Sequence, residues 1–138
     1  MITAVLGAAI LLGGCTAPSG LKALDRQATA EDKMPEGITF QGTDVNTENA
    51  RLLASKDGVK YFAAKNENIH EACVVIAPEA NPSLWVAGFS SYARGGEIVK
   101  VTGSTGQSAV HVTDGADTGQ LQSESWTKVH DNVLTSGR

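Results

Sequence analysis

The chain has 138 residues, a formal net charge of −4 and 19% charged residues. This length allows one domain. The acidic balance argues against the clustered basic surface that nucleic-acid-binding proteins use to neutralise phosphates, and it provides no attraction to anionic lipid. We therefore expect no nucleic-acid partner, and we expect membrane attachment to depend on an anchor.

The first apolar segment runs from Ile2 to Leu12 and contains no charge. It is shorter than the roughly 20 apolar residues of a membrane-spanning helix, and it has the length of the apolar region of a secretory signal. It ends in Leu12-Gly13-Gly14-Cys15, which resembles the lipobox of bacterial lipoproteins. The resemblance implies cleavage between Gly14 and Cys15, a lipid on Cys15, and a position on the extracytoplasmic face of the cell membrane.

Three regions follow from this interpretation. Residues 1–14 are predicted to be a lipoprotein signal peptide, and residues 15–37 a lipidated cysteine with a flexible tether. The tether is indicated by low apolar content and the absence of a sustained hydrophobic period. Residues 38–138 are predicted to form a single globular domain.

The domain begins with a predicted helix from Thr47 to Ala54, where polar residues that favour a helix N-terminus precede apolar ones. Asp57-Gly58 then turns the chain. Residues 59–64 and 70–77 have the composition of strands and surround a polar turn, which predicts a β-hairpin. Residues 72–77 are apolar at every position, which indicates a strand covered on both faces.

Residues 79–96 have no clear period, and Ser90–Arg94 indicates a helical turn. Residues 97–102 and 108–113 flank a glycine-rich loop, which predicts a second hairpin. Residues 126–130 and 133–135 are predicted to be short closing strands. The sum is an α+β fold: a small, mostly antiparallel sheet of five to six short strands with one or two short helices.

Short segments of the domain resemble small uncharacterised secreted or lipid-anchored domains of actinobacteria. The segments are Arg51-Leu52-Leu53, Asp57-Gly58-Val59, Tyr61-Phe62-Ala63-Ala64, Cys73-Val74-Val75, Asp114-Gly115 and Asn132-Val133-Leu134. Such domains often carry a second cysteine shortly after a tryptophan, and here Phe89 follows Trp85 near that position. The resemblance implies that Cys73 is the remaining half of a lost disulfide, and it implies no known activity.

Cys73 lies in the middle of a predicted strand among apolar residues. A reactive thiol needs exposure and a nearby cation or helix N-terminus, whereas a buried cysteine packs as a small hydrophobic residue. The pattern favours an inert thiol. A redox-sensitive module that dimerises through Cys73 is the alternative.

The three histidines, His70, His111 and His130, could together hold a zinc ion with an open position. A small envelope hydrolase or metal-dependent enzyme is therefore a second alternative. However, each histidine lies in a different predicted strand without a closely spaced partner, so we expect no metal and no cofactor. Strand alternation places His111 opposite Val110 and Val112 and predicts that it points to solvent.

Trp85, Phe89 and Tyr92 cluster in the least regular segment. Aromatic residues in a loop form a contact surface in many proteins, but they also pack against the open face of a sheet. The leading hypothesis is a non-enzymatic, lipid-anchored binding module of the cell envelope. Its partners would be the membrane, through the lipid on Cys15, and an envelope protein or ligand.

Overall fold

The computed structural model describes residues 20–66, 68–92 and 96–136. These residues form eight strands in two antiparallel sheets, one with strand order β1-β2-β3-β4 (sheet A) and one with order β5-β6-β8-β7 (sheet B). The predicted α+β fold with one sheet of five to six strands is therefore wrong. The described chain is mostly β, and its helices are single 3-10 turns and one five-residue α-helix.

Sheet A consists of β1 (Arg51–Lys56), β2 (Val59–Asn66), β3 (Glu71–Pro78) and β4 (Val86–Ser91). Sheet B consists of β5 (Glu97–Thr102), β6 (Ser108–Val112), β7 (Thr127–His130) and β8 (Val133–Ser136). The helix α1 spans Gly119–Ser123, and 3-10 turns lie at Lys22–Leu24, Ala30–Asp32, Thr47–Asn49 and Pro82–Leu84. Both predicted hairpins and both predicted closing strands are confirmed.

The predicted helix over Thr47–Ala54 is wrong. Asn46 does cap a helical turn, because its side-chain oxygen accepts the N–H of Glu48 at 2.9 Å. The turn ends at Asn49, and the chain then extends into β1. Asp57 and Gly58 both have positive φ, 51° and 77°. Two such residues form the tight turn whose twist matches a β-hairpin, so β1 pairs with β2.

Residues 86–91, which had no clear period in the sequence, form the regular strand β4. Val86, Gly88 and Ser90 lie in register with alternate residues of β3, and no irregularity interrupts the pairing. β4 packs face to face with β5 of the other sheet. This segment is rich in apolar and small residues because a second sheet covers one face of the strand.

Apolar side chains form three layers. The layer between the sheets includes Val59, Tyr61, Val74, Ile76, Ala109 and Val133. The outer face of sheet A is covered by residues that precede β1, with Ile38 and Val45 packed against Phe62, Cys73 and Val75. The outer face of sheet B is covered by Leu121 and Trp126. β2 and β3 are thus buried from both sides, as the sequence predicts for residues 72–77.

The described part of the expected tether, from Gly20 to Gly37, lies against the sheets. Leu21 and Leu24 are buried beside Ala63, Ala72 and Ile98. This segment therefore belongs to the folded body, because leucines at these two positions find an apolar pocket at one end of the sandwich.

An ion pair between the partly exposed Arg26 and the buried Asp32 holds the same segment on β1. Both oxygens of Asp32 accept guanidinium N–H groups of Arg26 at 2.6 Å, and one also accepts the backbone N–H of Leu52 at 2.8 Å. These bonds hold the pKa of the Asp32 carboxyl well below its usual range. Because Asp32 is buried, loss of Arg26 would leave its carboxylate without its charged partner, so the pair helps to keep this segment on β1.

Gly88 sets the distance between the sheets at β4. A Cβ at this position would lie 2.9 Å from Cγ2 of Val99 and 3.3 Å from Cβ of Val101. We expect Gly88→Ala to lower the free energy of unfolding by about 1–3 kcal/mol, since overpacking a core costs that much. Chemical denaturation measures the change.

Gly103→Ala is the matched control. A Cβ there would make only ordinary contacts, at 3.6 Å and 3.7 Å, and φ at Gly103 is not positive. Equal stability losses in the two variants would contradict the close approach of β4 to β5.

Candidate functional site

The predicted lipidation residue Cys15 and the cleavage position Gly14 lie outside the described residues. They stay predictions. In the described part of the chain, no helix has the length and apolar character needed to cross a membrane.

His111 is the most unusual polar residue of the described chain. The prediction that it points to solvent is wrong, because its exposed fraction is 0% and its strand β6 is covered on both faces. Alternation correctly places it opposite Val110 and Val112, but those residues face the outer layer of sheet B. His111 therefore faces the interior between the sheets.

Neither ring nitrogen of His111 has a hydrogen-bond partner in the structure as described. A neutral imidazole has one N–H donor and one acceptor, so both are left unpaired in an apolar layer. Burial, together with the charge of His130, lowers the pKa of His111 to about 4, while the charge of Asp114 acts in the opposite direction. His111 is consequently neutral at physiological pH.

His130 lines a cleft of 450 Å³ together with Lys22, Asp114, Lys128 and Asn132. Its Nδ1 accepts the backbone N–H of Asn132 at 3.1 Å, so the neutral ring carries its proton on Nε2. Burial lowers the pKa of His130. At physiological pH the ring is therefore neutral, and its N–H donor is Nε2.

Asp114, in the same cleft, already has its partners. One carboxylate oxygen accepts the side-chain N–H of Asn132 at 2.9 Å, and the other accepts the backbone N–H of Lys22 at 2.9 Å. Asp114 thus holds the N-terminal segment to the loop after β6. It does not contact His130 by a hydrogen bond that would orient the ring for base catalysis.

His70 lies in the exposed turn before β3, and its ring meets the Tyr92 ring edge to face with centroids 6.0 Å apart. His111 and His130 are each in register with Val133, on opposite sides of β8. In the described ranges no three His, Cys, Asp or Glu side chains are grouped so that they could hold a metal ion. The three histidines do not form one site.

A second polar cleft, of 480 Å³, is lined by Asp25, Arg51, Lys65 and three asparagines. Lys65 is buried and forms an ion pair with Asp25. The guanidinium group of Arg51 donates to the backbone carbonyls of Arg26, Glu48 and Ala50. The charged groups here thus bind parts of the protein itself.

Cys73 is a free thiol with an exposed fraction of 0%. Burial raises the pKa of this thiol to about 12. Because the thiolate is the reactive form, the environment favours the inert reading of Cys73 over the redox-sensitive one.

Phe89 lies directly opposite Cys73 in the register of β4 and β3. Phe89 fills the position across from the thiol and packs edge to face on Phe40, with ring centroids 5.3 Å apart. A large apolar side chain therefore occupies the place from which a cross-strand disulfide would be made.

The three aromatic residues expected to share a contact surface are divided between two places. Trp85 and Phe89 pack on the outer face of sheet A. Tyr92 packs with Leu21 and Ile98 at one end of the sandwich. Each is partly buried, so much of their surface serves to cover the core. Trp85, directly before β4, and Phe89, within β4, both lie along the open side of this strand.

β4 differs from the other sheet edges. In the described sheets, the edge strands are β1, β4, β5 and β7. The pairings of β1, β5 and β7 each contain a register irregularity, and each of these strands carries a lysine: Lys56, Lys100 and Lys128. Bulges and lysines are devices by which proteins keep sheet edges from pairing with other chains. β4 has a regular register and no charged residue.

The hydrogen-bonding direction of β4 follows from one bond. The N–H of Tyr92 donates to the carbonyl of His70 on the β3 side, at 2.8 Å. Residues alternate between the two sides of an antiparallel strand, so every second residue from Tyr92 also bonds to β3. The alternate residues, whose N–H and C=O groups point to the open side, are Ala87, Phe89 and Ser91. We call this open side the β4 edge.

Comparison of the chain with protein-family models, with curated proteins and with solved structures finds no significant match.

The burial of His111 makes stability depend on pH. Its pKa is lowered from 6.5 to about 4 in the folded state, so the unfolded chain binds the proton more tightly. We expect the free energy of unfolding to fall as pH is lowered from about 6.5 to about 4, by about 3 kcal/mol from this residue.

His111→Leu should remove most of this slope, and denaturation at several pH values measures it. His70→Leu, which changes an exposed histidine, should keep it. Asp32 contributes at lower pH, because its stabilisation is lost only when the carboxylate is protonated, below its ordinary pKa of 3.8. An unchanged slope between pH 7 and pH 4 in His111→Leu would refute the interior position.

The register of β3 and β4 gives a second prediction. Cys73 and Phe89 form a pair without mutual backbone hydrogen bonds, for which Cα atoms lie about 4.5 Å apart, within the range of disulfides. Phe89→Cys should therefore form a disulfide with Cys73 under oxidising conditions, detected as the loss of both free thiols by mass spectrometry.

The unfolding temperature should change little. The new loop contributes about 3 kcal/mol, and the lost Phe89 packing costs about as much. Phe89→Cys combined with Cys73→Ser is the control that cannot close the bridge. Two free thiols in fully oxidised Phe89→Cys would show that the register is different.

Proposed function

We propose that this protein is a lipid-anchored binding module on the extracytoplasmic face of a bacterial membrane, and that its interaction element is the β4 edge. The β-sandwich is the folded body, and the lipid on Cys15 holds it at the membrane. The module acts by binding another polypeptide rather than by catalysis.

The anchor is supported by the sequence Leu12-Gly13-Gly14-Cys15 after a short uncharged apolar segment. Two or more acyl chains hold a protein stably on a bilayer. With a net charge of −4, the protein gains no attraction to anionic lipid that would replace such an anchor.

The positions of the candidate catalytic side chains support a binding role rather than catalysis. The thiol of Cys73 and the ring of His111 are buried in apolar layers. His130 is exposed to a cleft whose lining residues include no serine, threonine or cysteine to activate. Nucleophilic catalysis needs such a pair within hydrogen-bond reach.

The single observation that carries the binding role is the β4 edge. A regular, uncharged edge strand presents a row of unpaired backbone donors and acceptors, which is the template for adding another strand. The other three edges of the described sheets carry the devices that prevent such addition. Their presence on three edges makes their absence from the fourth a functional feature.

The anchor is tested by the mass of the N-terminal peptide of the protein purified from a host that processes lipoproteins. We expect a peptide that begins at Cys15 and carries added acyl mass. Cys15→Ser should abolish both the added mass and the recovery of the protein with membranes.

Cys73→Ser is the matched control and should leave both properties unchanged, because this thiol is buried in the folded body. An unmodified peptide that begins at or after Cys15 would refute the anchor.

A further inference from the structure

We infer that the cleft lined by Lys22, Asp114, Lys128 and His130 binds the headgroup of a membrane phospholipid that carries both a phosphate and a primary ammonium group. Phosphatidylethanolamine is the phospholipid with these two groups. The inference rests on the proposed function only for the lipid anchor on Cys15, which brings the cleft close to the membrane. It is independent of the β4 edge.

Three segments form the walls of this cleft, which has a volume of 450 Å³: the N-terminal segment, the loop after β6, and the end of β7 with the turn that follows it. Asp114 connects all three. Its two carboxylate oxygens accept the backbone N–H of Lys22 and a side-chain N–H of Asn132, each at 2.9 Å. Asn132 also donates to the carbonyl of Val112 at 3.0 Å. The walls are thus fixed before a ligand binds, which lowers the entropic cost of binding.

The cleft lies where the described chain enters the folded body. The N–H of Asp114 donates to the carbonyl of Gly20 at 2.7 Å, and Lys22 is one of the lining residues. Lys22 is seven positions after Cys15, and seven residues of chain span at most about 25 Å. A lipid on Cys15 therefore keeps the headgroups within reach of the cleft, at an effective concentration on the order of millimolar.

The charges of the cleft favour a ligand that carries both signs. Lys22 and Lys128 contribute two positive charges, and Asp114 and Asp131 contribute two negative charges, so the charges cancel. A purely anionic headgroup gains no net attraction from such a cleft, and the net charge of −4 on the whole protein repels it. A zwitterionic headgroup can place its phosphate beside the lysines and its ammonium group beside the carboxylates.

Three of the four charged side chains can bind a ligand without breaking the fold. In the described part of the chain, the ammonium group of Lys22 has no ion-pair partner. Lys128 and Asp131 lie 3.6 Å apart, with 39% and 86% of their side chains exposed. An exposed pair of this kind contributes little to stability, so each partner can bind the opposite charge of a ligand instead. Asp114 keeps its two N–H donors, and its charge adds to the attraction for the ammonium group.

The lining of the cleft also distinguishes between ethanolamine and choline headgroups. A quaternary ammonium group has no N–H, and proteins bind it in cages of aromatic side chains. The described lining includes no tryptophan, tyrosine or phenylalanine. A primary ammonium group has N–H donors for carboxylate oxygens, which Asp114 and Asp131 provide. The cleft therefore fits ethanolamine better than choline.

The experiment couples the headgroup to the cleft with a water-soluble carbodiimide, which joins an amine to a carboxylate in contact with it. The ethanolamine nitrogen forms an amide bond with Cγ of Asp131, and the displaced oxygen ends in the urea made from the carbodiimide. The full chain, purified from a host that processes lipoproteins, is reconstituted in vesicles of equal parts phosphatidylcholine and phosphatidylethanolamine. Peptide mass spectrometry then locates the added phospholipid, which we expect on Asp131.

Asp117 is the matched control carboxylate. It is exposed and lies three positions after Asp114, but it does not line the cleft. Its adduct therefore measures coupling that results from closeness to the membrane alone. We expect about fivefold more adduct on Asp131 than on Asp117, since the cleft adds an ion pair. Equal yields at the two positions would overturn the inference.

Lys22→Gln removes one of the two positive charges that would hold the phosphate. The variant should fold normally, because Lys22 is exposed and its bond to Asp114 is made by the backbone N–H. The Asp131 adduct should fall by about threefold. Lys33→Gln changes an exposed lysine of the same N-terminal segment outside this cleft and should leave the yield unchanged. Equal yields from the two variants would also overturn the inference.

A soluble ligand tests whether the occupant is a membrane lipid. Glycerophosphoethanolamine carries the same two charged groups without acyl chains, and it is added at the same total amine concentration to protein in vesicles of phosphatidylcholine alone. A much lower Asp131 yield than with phosphatidylethanolamine supports the lipid, because a headgroup in the bilayer meets the cleft at a higher effective concentration. An equal yield would overturn the lipid as the occupant.

The Cys15 peptide in the same digest reports on the anchor independently. If Cys15 carries lipid and Asp131 is not coupled preferentially, the headgroup site is overturned and the anchor stands. If Cys15 carries no lipid and Asp131 is coupled preferentially, the headgroup site is supported and the anchor is overturned. The absence of both lipid and preferential coupling would overturn both.

Discussion

The β2–β3 hairpin is apolar on both faces, and the rest of the structure is arranged by the need to cover both. One face is covered by sheet B and the other by the chain that precedes β1. Burial of apolar surface is the dominant favourable term in folding, so a hairpin of this kind cannot be stable in a single open sheet. Two sheets and a packed N-terminal segment are the consequence.

The same constraint explains why polar chemistry is scarce in the middle of the molecule. A strand with two buried faces has no side chain in contact with solvent, so Cys73 and His111 are enclosed merely because they lie in central strands. Their shifted pKa values follow from burial. Perturbed pKa values often indicate active sites, but here they occur without a cleft or a catalytic partner. They result from the close packing of the interior, and the proposed interaction surface lies at the margin of the sheets.

Much of the strand pattern was accessible from the sequence, because alternation and turn residues are local signals. The two hairpins and the short closing strands were predicted near their observed positions. β1 was missed because helix-capping residues at Asn46–Glu48 precede it, although Asp57-Gly58 after it is a strong hairpin signal. β4 was missed because a strand with one half-covered face and a glycine in its centre shows no clean alternation.

The candidate site was less predictable, for a physical reason. Whether an edge strand is open depends on which strands pair, and strand order is a long-range property that composition does not encode. Proximity in sequence groups Trp85, Phe89 and Tyr92, but the fold places Tyr92 in a different apolar cluster from the other two. His111 was assigned to solvent because alternation shows which residues share a face and not whether both faces are covered.

Because Leu21 is buried in the β-sandwich, the folded domain must lie close to Cys15. Gly20, where the described fold begins, is five positions after Cys15, and five residues of chain span at most about 17 Å. A lipid on Cys15 would therefore hold the sandwich directly against the lipid headgroups. The loop around Thr113 and Asp114, which binds Gly20 and Lys22, would then be the part nearest the bilayer. Partners would have to be within the same few nanometres of the membrane surface.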